Sequence, residues 1–189
     1  MVIKKQLAEY FLTDSRDYLL RYKKLEESAS HIGLRTKLVV ELMFSLECAL
    51  KSLFIIETDL QEKQAYEKIK KLSHNIGKIV ENLNENSQSV FKTKVTIDFD
   101  NYKVFHRYIF ESEMAFREEI GILGSKYYDT INNYSWRQSF YNQIESFIQY
   151  VDSKNPFEIK TVSISDINID EEISNFKKLK EILSLKNCH

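Results

Sequence analysis

Apolar side chains recur along this chain at three- and four-residue intervals, broken by short polar stretches, and that spacing predicts a succession of amphipathic helices. The first covers about Ile3 to Glu27, where Leu7, Tyr10, Phe11, Tyr18, Leu19, Tyr22 and Leu25 share one side. The second, about Gly33 to Glu57, is apolar over most of its circumference and reads as the central, best-buried helix. A third follows over Leu60 to Leu72. Ser73 offers an N-cap for a fourth over Asn75 to Leu83, and the two together also fit one kinked helix. The polar cluster Asn84-Glu85-Asn86-Ser87 ends that run.

Between Val90 and Phe99 the period changes to two, at Val95, Ile97 and Phe99, which suggests a short extended segment. An imperfect alternation of the same kind returns at Ile159, Val162, Ile164, Ile167 and Ile169, and the two segments are expected to pair as a small ribbon. Helical spacing occupies the interval from Asn101 to Ile120, through Tyr102, Phe105, Ile109 and Phe116, and stops near Gly121 and Gly124. After Tyr127-Tyr128 and the turn-like Asn132-Asn133, a helix from about Ser135 to Asp152 carries Trp136, Phe140, Ile144, Phe147, Ile148 and Val151, with Pro156 just beyond as a stop signal. Asp170 is placed to cap a last helix bearing Ile173, Phe176, Leu179, Ile182 and Leu183. The expected fold is all-α: a helical bundle over residues 1–152, then an extended segment and a C-terminal helix over 153–189, packed on the bundle or on a partner.

Composition agrees, since one proline and four glycines in 189 residues leave little to interrupt helices. With 27 basic and 28 acidic side chains, the strongest electrostatic argument for a nucleic-acid binder is absent, although a local basic face is compatible with that balance. Cys48 lies inside an apolar helix and Cys188 is the penultimate residue, so no disulfide framework is implied and a reducing, cytoplasmic setting is expected. The apolar run from Leu38 to Ile56 is broken by Glu41, Glu47 and Lys51, which reads as a buried helix and not a membrane span.

Most catalytic templates fail: there is no glycine-rich phosphate loop, no paired-cysteine or two-histidine zinc spacing and no nucleophile elbow. Only His31, His74, His106 and His189 are available, so no metal and no cofactor is expected. The informative segment runs from Glu41 to Leu83. Glu47 and Lys51 stand one turn apart amid apolar residues, a pair that marks a polar cleft if it is buried beside other charges. His74 and Asn75 fall at the start of the next helix, where a neutral imidazole is favoured and both side chains can donate and accept.

The helix Leu-Glu-Cys-Ala-Leu-Lys-Ser-Leu at 46–53, followed by Ser-His-Asn-Ile at 73–76, resembles the HEPN superfamily of higher eukaryote and prokaryote nucleotide-binding helical domains. The resemblance covers about a quarter of the chain. It implies an up-and-down bundle, a homodimer, and a place in toxin–antitoxin, phage-defence or RNA-processing systems. It also implies either a metal-independent endoribonuclease or a non-catalytic binder of RNA, a nucleotide or a partner protein from the same operon. Catalytic members carry an arginine followed four to six residues later by a histidine, and none of Arg16, Arg21, Arg35, Arg107, Arg117 and Arg137 has one. The chain is therefore expected to be a non-catalytic binder. Glu47, Lys51, His74, Asn75, Arg137 and Tyr141 are the candidate ligand contacts; the last two come from the aromatic and cationic stretch 134–141. The alternatives are an endoribonuclease with a rearranged site, for which His74, His106 and Arg107 are the candidate catalytic residues, and a plain helical scaffold.

Overall fold

The computed structural model describes residues 2–98, 102–118, 121–154 and 169–184. In chain order the helices are α1 (Val2–Glu26), α2 (Ile32–Glu57), α3 (Glu62–Leu72), α4 (Ile76–Glu81), α5 (Glu85–Lys94), α6 (Ile109–Phe116), α7 (Tyr134–Lys154) and α8 (Ile169–Ser184). A 3-10 turn at Val104–Arg107 precedes α6, and a π-helical turn at Tyr127–Ile131 precedes α7. The fold is an all-α helical bundle, as the spacing predicts. No helix among the described residues is long and apolar enough to cross a membrane.

Helices α1 and α2 form the dominant pair and run antiparallel, as their short connection requires: Ala8 meets Ser52, Ser15 meets Ser45, and Arg21 meets Glu41. Small residues let the two backbones approach. Ser15 Oγ donates to the Ser45 carbonyl at 2.7 Å, Ser45 Oγ to the Ser15 carbonyl at 2.8 Å, and Ser52 Oγ to the Ala8 carbonyl at 2.8 Å. Each buried hydroxyl is thus satisfied across the seam, which avoids the desolvation cost of an orphaned donor. Leu38, Leu42, Leu46, Leu50 and Leu53 of α2 are fully enclosed, and α7 closes the core over them with Phe140, Ile144, Phe147 and Val151. Helix α8 packs on α3 through Leu179 and Ile182 against Tyr66.

Several expectations need correction. Ser73 does not cap α4. It ends α3 with a positive φ of 52°, and Asn75 is the cap, its side chain accepting from the Lys78 amide at 2.9 Å. This reversal of the chain makes α3 and α4 two helices, not one kinked one. The cluster at 84–87 does not end a helix but starts α5, with Asn84 accepting from the Ser87 amide at 2.8 Å. That helix takes in residues 90–94 of the segment expected to be extended, and it is held by Ser87 and Phe91, buried one turn apart. No strand occurs among the described residues; an isolated bridge joins Arg117 to Leu123. The other half of the expected ribbon, up to residue 168, lies outside the described residues, as does Pro156, and Ile169 opens α8. Asp170 therefore lies inside α8 and does not cap it.

The expected helix over 101–120 is also broken. Tyr102, His106 and Phe116 are buried, while Ile109, Phe110 and Met114 are exposed, so two differently directed faces share one apparent period. Tyr108 is extended, and α6 begins only after it. The Ser112 hydroxyl ties α6 to α2 through a 2.9 Å contact with Thr36 Oγ1, and it also lies at hydrogen-bond distance from the His106 carbonyl.

Candidate functional site

Along α2 the side chains Lys37, Glu41, Phe44, Glu47 and Lys51 follow one another at intervals of three or four, so they form a stripe on one side of an otherwise apolar helix. Two clusters are built on this stripe, and Phe44 belongs to both.

The first cluster is centred on Glu47. Lys51, one turn further along, donates to Glu47 Oε1 at 2.5 Å. The turn between α3 and α4 lays His74 on the same carboxylate, with Nδ1 at 3.1 and 3.0 Å from its two oxygens. Only 5% of the Glu47 side chain and 13% of the Lys51 side chain are exposed, against 56% of His74. A carboxylate can only accept, so the hydrogen of a neutral His74 resides on Nδ1 and Nε2 keeps its lone pair. The same logic orients the histidine of an acid–base dyad. The Phe44 ring stands edge-on to the imidazole, 5.9 Å between centroids. Cys48 adjoins the cluster, and its thiol is pushed up to about 12, chiefly by burial and next by the Glu47 charge.

The second cluster is a groove of about 300 Å³ lined by Arg21, Lys37, Val40, Glu41, Phe44, Arg107 and Tyr108. Three cations thus face one carboxylate. Arg21 donates to Glu41 Oε1 at 3.0 Å and stacks over the Tyr18 ring at 5.1 Å. Glu41 Oε2 is buried without a hydrogen-bond partner among the described residues, and burial raises the carboxyl's pKa against the opposing effect of Arg21. Arg107 lies over the Tyr108 ring at 4.9 Å and donates to its hydroxyl at 2.8 Å. Lys37, Arg107 and Tyr108 are exposed and Phe44 is half-buried, so the groove offers water both positive charge and aromatic surface.

Of the residues singled out from sequence, Glu47, Lys51 and His74 come together, with Asn75 beside them but engaged as the α4 cap. Arg107 joins the groove. His106 does not: it is buried, its Nδ1 accepts from the Lys103 amide at 3.3 Å, and its ring meets Phe116 edge-on at 5.5 Å. Burial, then Lys126 and Lys103, lowers its pKa. Nor do Arg137 and Tyr141 reach either cluster. Arg137 is buried, donating to the Ile131 carbonyl at 2.6 Å and to Glu26 at 3.4 Å. Tyr141 stacks on Tyr22 at 5.6 Å and donates to Glu145 at 3.1 Å. Arg21, Lys37, Glu41, Phe44 and Tyr108 were not singled out from the sequence; the signal for three of them was their spacing with Glu47 and Lys51 on α2. No group of three or more His, Cys, Asp or Glu side chains suited to a metal ion occurs among the described residues. The chain matches no family model, no curated protein and no solved structure.

Proposed function

We propose that this chain is a HEPN-like helical binding module, non-catalytic and cytoplasmic, that holds a phosphate-bearing nucleotide chain in the groove beside α2. The observation that carries the reading is the convergence of Arg21, Lys37 and Arg107, from three separate elements, around a groove whose one acid is already engaged by Arg21. Clustered cations release counterions from phosphates, and aromatic rings such as Tyr108 and Phe44 suit the faces of unstacked bases. The Glu47–His74 contact supports the reading further, because it joins the two segments that carry the resemblance. A homodimer, a partner protein and a toxin–antitoxin or phage-defence setting belong to the same proposal, and the exposed apolar residues Ile109, Phe110 and Met114 on α6 support a contact of that kind. The test is binding of a labelled short oligoribonucleotide by the purified protein, beside Lys37→Ala and Arg107→Ala. Binding that weakens in both variants is expected; no binding by folded protein contradicts the reading.

The second reading is a metal-independent endoribonuclease, and what favours it is the His74–Glu47 pair, whose Nε2 is free to take a proton. Cleavage of RNA in the presence of chelator, lost in His74→Ala, is its expected signature.

A further inference from the structure

Resting on the reading that the groove holds a nucleotide chain, we propose that His74 reads the sugar: its Nε2 accepts a hydrogen bond from a ribose 2′-hydroxyl, so the module selects RNA over DNA. The geometry that carries this is the fixed tautomer. Both oxygens of the buried Glu47 lie at hydrogen-bond distance from Nδ1, and Lys51 holds the carboxylate in place by donating to Oε1. A neutral imidazole so anchored presents an acceptor at its second nitrogen, and a phosphodiester or a deoxyribose within a strand has no hydrogen to give it. A ribose does, through the one group that distinguishes RNA from DNA at a given position.

The position along the stripe fits. Phe44 lines the cationic groove and also touches His74, so a strand whose phosphates lie on Lys37 and Arg107 and whose base meets Phe44 passes directly to the imidazole. From Lys37 to Lys51 the stripe is about 21 Å long at the helical rise of about 1.5 Å per residue. That length suits a few nucleotides, not one. Neighbouring acids do not repel the strand there, because Glu41 is paired with Arg21 and Glu47 with Lys51 and His74.

The experiment compares three tetranucleotides of one sequence on the wild-type protein near neutral pH: ribo, deoxy and 2′-fluoro. The fluoro sugar keeps the ribose pucker but has no hydroxyl hydrogen. The ribo strand is expected to bind about tenfold tighter than the other two, the order of one good hydrogen bond. The preference is expected to disappear in His74→Ala, whose fold is checked by its helical circular dichroism. Equal binding of all three strands overturns the inference and leaves the groove reading standing. Fluoro binding as tight as ribo also overturns it, since sugar shape would then be what is read. A preference that survives in His74→Ala overturns it as well, and failure of every strand to bind overturns the groove reading itself.

Discussion

His74 Nδ1 lies 3.0 Å from Glu47 Oε2, although the two residues are 27 positions apart in the chain. The contact pins the turn between α3 and α4 to the central helix and sets which imidazole nitrogen faces outward. Because Glu47 also holds Lys51 in a nearly closed environment, its removal leaves a largely buried ammonium with no opposite charge and only the Phe11 ring beneath it. Glu47→Ala is therefore expected to cost about 2 kcal/mol of stability. Chemical denaturation measures this, and a loss within about 0.5 kcal/mol, the ordinary range of surface substitutions, would contradict the account.

Ser73 adopts φ 52° and ψ −134°, a region that side chains other than glycine occupy at a cost. Its side chain is exposed, so nothing is lost by removing it. Ser73→Gly should raise stability by about 1 kcal/mol. A neutral or destabilising result in the same denaturation experiment would show that the turn is not strained.

The fold keeps His106 neutral, since burial, Lys126 and Lys103 all lower its pKa from the ordinary 6.5. The unfolded chain then binds a proton more readily than the folded one. Stability from this group is fully present above about 6.5 and is lost as pH falls toward the lower folded value. Melting temperatures at pH 7.5 and pH 5.5 should therefore fall further in the wild type than in His106→Gln. Parallel declines would contradict the assignment.

Cys48 should be unreactive. With its thiol pushed up to about 12 from an ordinary 9.0, the thiolate fraction near pH 8 drops on the order of a thousandfold. In a Cys188→Ser background, a disulfide reagent is expected to label native protein far more slowly than protein in denaturant. Equal rates would mean that the residue is open to solvent.

Helices α1, α2 and α7 were legible because long runs with a single period leave little ambiguity: Leu38, Leu42, Leu46, Leu50 and Leu53 could hardly be read otherwise. Helix α5 was not, because it buries only Ser87 and Phe91, while Val95 and Ile97 beyond it mimic a strand. Asn84 was the available signal, a cap residue read as a stop. The interval 101–120 misled differently, through apolar residues that belong to two faces. At the site, Glu47 and Lys51 stood out because they interrupt an apolar pattern, and His74 because it falls at a helix start. The groove did not, because Arg21, Lys37 and Arg107 come from α1, α2 and the turn before α6, and only folding makes them neighbours.

The central claim is that Lys37 and Arg107, beside the Arg21–Glu41 pair, hold a phosphate chain, and the most direct measurement is the affinity of a short oligoribonucleotide as a function of salt. Two phosphate contacts give a slope of log K against log salt of about −1.4, at about −0.7 per contact for a single strand. Lys37→Ala with Arg107→Ala should bring that slope close to zero and weaken binding at low salt. An unchanged slope in the double variant, or affinity indifferent to salt, would contradict the account.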